Sequence, residues 1–119
     1  MFTIPDFLKA KQSGKKIAML TAYDAYSARV AAEAGIDAVL VGDSVSMVVH
    51  GHLSTLQATM EMMRLHTAAV RRGAADLCVV ADMPFMSTRK GLSEASRNAE
   101  SLVRAGANGV KLEGRAGHE

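Results

Sequence analysis

The chain has 119 residues, of which 49% are hydrophobic and 22% charged, and its 14 basic and 12 acidic residues leave a formal net charge of +2. This length fits a single domain, residues 1–119, with a sizeable core, and so small a charge excludes strong nucleic-acid binding. The single cysteine excludes a disulfide framework and no apolar run could span a membrane, so we expect a cytoplasmic protein whose partners include neither nucleic acid nor membrane.

A short leading helix is predicted first, because Thr3 and Asp6 have the spacing of a capping box and Gly14 is a typical helix stop. Four apolar runs and three stretches with helical spacing follow it in alternation. The strands are predicted at residues 17–20, 38–41, 77–81 and 109–112, and the helices at residues 26–34, 60–72 and 94–104, the last capped by Ser93. Since the apolar runs do not alternate with polar residues, they are typical of parallel strands covered on both faces.

These elements form a βα repeat with an acidic residue at the end of each of three successive strands. The predicted helices end at Gly35, Gly73 and Gly106, at intervals of 38 and 33 residues. Asp43, Asp82 and Glu113 follow the strands that come after these glycines. The carboxyl ends of parallel strands meet at one edge, where open α/β sheets and β/α barrels build their sites, so we expect these three carboxylates to lie together there.

The alternation of side chains along the last strand adds a lysine to this group. Lys111 and Glu113 must point to the same face, and Val110 and Leu112 to the opposite one. If the apolar pair packs against the helices, Lys111 lies among the acids. Three crowded carboxylates would raise one another's pKa unless a cation sits among them, and the hard cation that suits carboxylates and water is Mg²⁺. The pattern predicts a magnesium site that could accept an anionic, oxygen-rich substrate.

Other interpretations of these residues remain open. Any one acid just past a strand could be only a helix N-cap or a solvated turn residue. His50 and His52 could bind a transition metal, although a polar loop explains them as well, and His66 is expected to be a packed helix residue rather than a ligand. Cys78 has no activating partner and is expected to be a small buried hydrophobe.

Six ordered segments, which together span nearly the whole chain, resemble the ketopantoate hydroxymethyltransferase family. They are Thr21-Ala22-Tyr23-Asp24, Val41-Gly42-Asp43-Ser44, Gly51-His52-Leu53-Ser54-Thr55-Leu56, His66-Thr67-Ala68-Ala69-Val70-Arg71-Arg72-Gly73, Ala81-Asp82-Met83-Pro84-Phe85-Met86, and residues 105–114. The resemblance implies a parallel β/α (TIM) barrel, of which this chain would form the first half: a short leading helix, about four strands and three helices.

The resemblance also implies a reaction and the residues that support it. The family transfers a hydroxymethyl unit from 5,10-methylenetetrahydrofolate to the ketoacid 3-methyl-2-oxobutanoate through a Mg²⁺-stabilised enolate, in pantothenate biosynthesis. Asp43 and Asp82 match its magnesium-binding aspartates, and Glu113 matches a third acidic position that acts through water. Asp43, Ser44, Asp82 and Lys111 match positions that hold the ketoacid, and Lys111 would also steady the enolate.

The length predicts that the catalytic machinery is incomplete. An eight-stranded barrel takes about 250 residues, so we expect the chain to lack the C-terminal half, including the glutamate that serves the family as general base. By itself the chain is expected to bind metal poorly and to turn over no substrate. The resemblance implies a homo-oligomer for the full-length protein.

Two further hypotheses assign the chain a function other than catalysis. A phosphorylation-controlled receiver domain has a similar length and also combines strand-end acids, Mg²⁺ and a lysine. Its acids and lysine follow different strands from those expected here, which argues against it. The second hypothesis is a noncatalytic half-barrel that pairs with another chain.

Overall fold

The fold, taken from a computed structural model, is described for residues 1–114 and comprises five α-helices, one 3₁₀ turn and four strands within that range. In chain order these are α1 (Ile4–Ser13), β1 (Met19–Thr21), α2 (Ala25–Glu33), β2 (Ala38–Val41), α3 (Val45–Val48), the 3₁₀ turn (Thr55–Gln57), α4 (Met60–Gly73), β3 (Cys78–Asp82), α5 (Leu92–Ala105) and β4 (Gly109–Lys111). Among residues 1–114, no helix is both long and apolar enough to cross a membrane.

The four strands form one parallel sheet in the order β1-β2-β3-β4. Helix α4 packs against both α2 and α5, and α4 and α5 also contact the strands, so these three helices cover one face of the sheet. Strands that are neighbours in both sequence and space, with their helices on a single face, are the arrangement of a β/α barrel rather than of a doubly wound sheet, in which the strand order reverses.

The main core lies between the sheet and these helices. Val39, Val41 and Val79 point to the helix side, where they pack with Met63 and Leu102, all fully buried. Fully burying a side chain of this kind contributes about 1.5–3 kcal/mol. Val110 packs against the same cluster, and that contact confirms the face predicted for it.

The amino ends of the strands are held together by a guanidinium clamp. The Arg71 side chain of α4 donates to the carbonyl oxygens of Gly106 (2.8 Å), Ala75 (2.9 Å) and Leu77 (2.7 Å). It also donates to the Asn108 Oδ1 atom, which in turn accepts from the backbone N–H of Val79. The Arg71 side chain therefore supplies hydrogen-bond donors to carbonyl groups in the turns before β3 and β4. These turns lie at the amino ends of the strands, where residues of a barrel contribute to stability rather than to catalysis.

The boundaries agree with the predicted ones to within one or two residues, with two corrections. Strand β1 begins at Met19 rather than at residue 17, because the backbone N–H of Ala18 donates to the Asp37 carboxylate (2.9 Å) instead of joining the ladder. Helix α5 begins at Leu92 with Gly91 as its N-cap, so the prediction that Ser93 caps it was wrong. Helix α3 and the 3₁₀ turn were not predicted.

Candidate active site

The residues predicted for a site lie at the carboxyl edge of the sheet. Asp82 and Lys111 are the last residues of β3 and β4 and are direct partners in the register, while Asp43 follows β2 by two residues. The backbone N–H of Met83 donates to the Lys111 carbonyl (2.9 Å), which continues the pairing of the two strands past their ends. The βα repeat thus places three strand ends side by side.

Lys111 lies between two of the carboxylates. Its Nζ is 2.9 Å from Asp82 Oδ1 and 3.2 Å from Glu113 Oε1. The other oxygen of Asp82 accepts from the backbone N–H of Asp43 (2.9 Å), so each oxygen of this buried carboxylate accepts one hydrogen bond. The hydrogen bond to Asp82 is the main reason that the pKa of Lys111 is raised, with Glu113 adding to it. The lysine therefore keeps its proton at neutral pH.

The surroundings of Asp43 disfavour the ionised form of its carboxyl group. Its pKa is raised, first by burial and then by the negative charges of Asp82 and Glu113, and Lys111 only partly offsets them. Asp82 lies within β3 and is 4% exposed, and Ser44 rather than Asp43 is the N-cap of α3. The interpretation of these two aspartates as helix N-caps is therefore wrong, and Asp43 lies in the turn between β2 and α3 as part of the acidic group.

Ser44 is held by a residue that the sequence did not identify. The Tyr23 hydroxyl, from the segment after β1, is 2.7 Å from the Ser44 Oγ atom. A Cβ placed on Gly42 would lie 2.9 Å from the same oxygen, so only glycine leaves room for the hydroxyl at this point. Tyr23 belongs to the first of the six segments, but no pattern within the sequence pointed to its contact with Ser44.

A cleft of about 230 Å³ opens beside Asp43 and Glu113. Its other lining residues are Thr55, Met83, Pro84, Phe85, Met86, Thr88 and Arg89. The loop after β3 is fixed from within, since the buried Ser87 hydroxyl donates to the Pro84 carbonyl (2.6 Å) and the Asn98 side chain donates to the Ser87 carbonyl (2.8 Å). The cleft is thus formed by ordered loops on the acidic side of the sheet edge.

These residues fit a hard divalent cation in donor chemistry and charge. Within residues 1–114, no three His, Cys, Asp or Glu side chains are close enough together to form a complete ligand set. Mg²⁺ commonly takes only one or two protein carboxylates and fills its remaining positions with water and substrate oxygens. Asp43 and the neighbouring Asp82 supply that number of carboxylates, and the Glu113 side chain is 75% exposed.

The remaining candidates from the sequence are one buried cysteine and three histidines, two of which contact each other. Cys78 is fully buried and burial raises the pKa of its thiol, which agrees with the predicted small hydrophobe. His66 lies within α4, as predicted, but its ring contacts that of His50. His52 is exposed in the same loop as His50.

Comparison with known sequences identifies the family. The sequence profile of the ketopantoate hydroxymethyltransferase family matches residues 1–119. A protein of Bdellovibrio bacteriovorus named 3-methyl-2-oxobutanoate hydroxymethyltransferase is 51% identical over 118 residues, which are 99% of this chain and 45% of that protein. A protein of the same name from Geobacillus sp. (strain WCH70) is 53% identical over 115 residues, 96% of this chain and 41% of that protein. The chain thus spans less than half the length of these relatives.

Solved structures agree on the architecture. A phosphonopyruvate hydrolase in complex with oxalate and Mg²⁺ matches 98% of this chain and 41% of its own, with a TM-score of 0.76 at 15% identity. A 2,3-dimethylmalate lyase of the PEP mutase/isocitrate lyase superfamily matches 94% and 39%, with a TM-score of 0.70 at 25% identity. The predicted fold, the first part of a parallel β/α barrel, is confirmed, and the sheet order does not fit the receiver hypothesis. The chain belongs to the ketopantoate hydroxymethyltransferase family.

Proposed function

We propose that this chain supplies the N-terminal part of a hydroxymethyltransferase active site. The reaction would move a one-carbon unit from 5,10-methylenetetrahydrofolate to 3-methyl-2-oxobutanoate and give 2-dehydropantoate, for pantothenate biosynthesis. The observation that carries the proposal is the group of Asp43, Asp82, Lys111 and Glu113 at one edge of the sheet, linked through the Lys111 ammonium and the Asp82 carboxylate. The names of the relatives support the reaction.

Asp43 and Asp82 would hold Mg²⁺, and Glu113 would act on it through water. When bound, the cation supplies positive charge that polarises the oxygens of the ketoacid and favours loss of a proton from the adjacent carbon. Burial and then the negative charges of Asp82 and Glu113 raise the pKa of Asp43, and a bound divalent ion would oppose both effects by favouring the ionised carboxylate.

Lys111 and Ser44 would bind the ketoacid directly. Lys111 stays protonated and is 44% exposed, so its ammonium can donate to a substrate oxygen while it remains paired with Asp82. That positive charge would stabilise the negative charge that develops on the ketoacid. If the Tyr23 hydroxyl donates to Ser44, the Ser44 hydroxyl is free to donate its own proton to the substrate carboxylate.

Catalysis is proposed to require residues from outside this half of the barrel. Among residues 1–114, we assign the role of general base to no side chain, since each acid at the edge already has a binding role. The chain alone is therefore expected to bind metal weakly and to be inactive. The completed enzyme is proposed to be a cytoplasmic homo-oligomer, which native mass spectrometry can test.

A chimera tests the proposal. Residues 1–114 replace the matching segment of the Bdellovibrio bacteriovorus relative, and formation of 2-dehydropantoate is measured with Mg²⁺ present. We expect activity from the chimera and a loss of at least 100-fold for Asp82→Asn and Lys111→Met. The control is Glu100→Gln, which removes only the exposed ion pair with Arg104 and should leave activity unchanged. A folded chimera with no activity, or full activity in Asp82→Asn, would contradict the proposal.

A further inference from the structure

Two histidines from different parts of the chain, neither of them part of the acidic group, face each other. His50 follows the end of α3, and His66 lies in the middle of α4. Their Nε2 atoms are 2.9 Å apart, and the rings meet edge to face with centroids 5.1 Å apart. The sequence pattern relates His50 only to its neighbour His52, whereas in the fold the His50 ring contacts the His66 ring.

The contact made by the other ring nitrogen of His66 determines which of its two nitrogens carries the proton. Its Nδ1 atom is 2.6 Å from the Tyr23 carbonyl oxygen, which can only accept, so Nδ1 carries a proton. In the neutral ring, Nε2 of His66 then presents a lone pair, and Nε2 of His50 must donate to it. Ligand histidines in metal sites commonly have this arrangement, with one ring nitrogen anchored on a backbone carbonyl and the other left to bind.

The backbone that carries His50 is also held in place. The backbone N–H groups of His50, Gly51 and His52 donate to the carbonyls of Val45, Met47 and Ser46, at 3.2, 3.1 and 2.9 Å. These bonds fix the backbone on which His50 is carried, next to the fixed His66. The two nitrogens therefore meet because of the fold, and ordering them requires little further loss of freedom.

We propose that His50 and His66 form a binding site for a borderline transition metal such as Zn²⁺, Ni²⁺ or Cu²⁺. The metal would replace the single proton that the two nitrogens share. Zn–N bonds of about 2.0–2.1 Å in tetrahedral geometry place two ligand nitrogens about 3.3 Å apart, so the two nitrogens must separate by about 0.4 Å and the rings must turn until both lone pairs face the ion.

The remaining coordination positions would be filled by water. His50 is exposed, and within residues 1–114 no third His, Cys, Asp or Glu joins the pair at ligand distance. Imidazole nitrogens favour Zn²⁺, Ni²⁺ and Cu²⁺, whereas Mg²⁺ favours the carboxylates at the sheet edge. The two sites should therefore select different metals.

Metal titration of the purified chain tests this site. Zn²⁺ binding is measured by calorimetry at pH 7.5 in excess Mg²⁺, and Cu²⁺ is used for electron paramagnetic resonance. We expect one Zn²⁺ site, weakened at least tenfold by His50→Gln and by His66→Gln, and a Cu²⁺ signal with splitting from two nitrogens that falls to one in either variant. His52→Gln and His118→Gln serve as controls that should leave Zn²⁺ affinity within twofold.

The outcome separates this site from its alternatives. His50→Gln changes an exposed side chain and keeps the backbone hydrogen bonds, so it tests the site even if His66→Gln unfolds, which circular dichroism would reveal. Unchanged Zn²⁺ affinity in His50→Gln, or an equal loss in His52→Gln or His118→Gln, would overturn the pair as the site. A chain that binds Zn²⁺ through the pair while the chimera lacks transferase activity would refute only the proposed function.

Discussion

Removal of the Lys111 ammonium should destabilise the chain much more than removal of the Glu113 charge. Lys111→Met keeps the aliphatic stem and deletes the group that pairs with Asp82 Oδ1 at 2.9 Å. Asp82, which is 4% exposed, would then retain only the hydrogen bond from the Asp43 backbone. Glu113→Gln is the matched control, because it removes the other partner of the same ammonium.

The solvent exposure of each side chain determines the expected loss in the free energy of unfolding. Breaking a fully buried ion pair costs about 3–5 kcal/mol, and a hydrogen bond to a charged group about 1.5–3 kcal/mol. Since the Lys111 side chain is 44% exposed, water can reach part of the pair, and we expect a loss of about 1.5–2.5 kcal/mol in the free energy of unfolding. The Glu113 side chain is 75% exposed, so its pair should contribute less than about 0.5 kcal/mol.

Urea denaturation at pH 7, with thermal melts as a second measurement, provides the assay. At roughly 4 °C for each kcal/mol, Lys111→Met should melt about 6–10 °C lower and Glu113→Gln within about 2 °C of the unchanged chain. The pKa of Lys111 is raised above its ordinary 10.5, so the stabilisation is present below that pH and is lost as the pH rises through the raised value. Equal losses in the two variants, or a loss for Lys111→Met that persists after the lysine has titrated, would refute the reasoning.

Three further substitutions test the acidic group, the hydrogen bonds of Arg71 and the contact between Tyr23 and Ser44. Asp43→Asn should melt higher at pH 7 without metal, because a raised pKa means that ionised Asp43 destabilises the fold, and the gain should fade as the pH falls through the raised pKa and be absent below 3.8; a lower melting temperature at pH 7 would contradict this. Arg71→Lys should cost about 2–3 kcal/mol in urea denaturation by losing the clamp, with Zn²⁺ affinity unchanged, and a parallel loss of Zn²⁺ binding would show that the clamp also shapes the metal site. Tyr23→Phe in the chimera should raise the KM for the ketoacid about 3–10-fold through Ser44, and an unchanged KM would remove Tyr23 as a positioning residue.

The sequence predicted the four strands, the four longer helices and the edge at which the acidic group lies, because these follow from local rules. The capping box at Thr3 forms as its spacing indicated, with the Thr3 backbone N–H donating to the Asp6 carboxylate at 2.8 Å. The βα repeat places Asp82 and Lys111 on neighbouring strand ends, and alternation along β4 correctly separates Lys111 from Val110. The metal-binding and substrate-binding roles of these residues stay predictions.

Contacts between distant segments could not be read from any such pattern. The Tyr23 hydroxyl reaches Ser44 across 21 positions, and the His66 ring reaches the Tyr23 carbonyl across 43. The short helix α3 has four residues, too few to show a helical period, yet its end places His50 beside His66.

What the sequence by itself determined was therefore the type and order of the elements and the acids at their ends, since hydrophobic period and capping depend on neighbouring residues. Only the tertiary structure decided that Lys111 lies between Asp82 and Glu113, that Ser44 is held by Tyr23, and that the His50 and His66 rings meet. The physical reason is that hydrogen bonds of about 3 Å depend on packing in three dimensions, which brings together strand ends and loops that have no fixed separation along the chain.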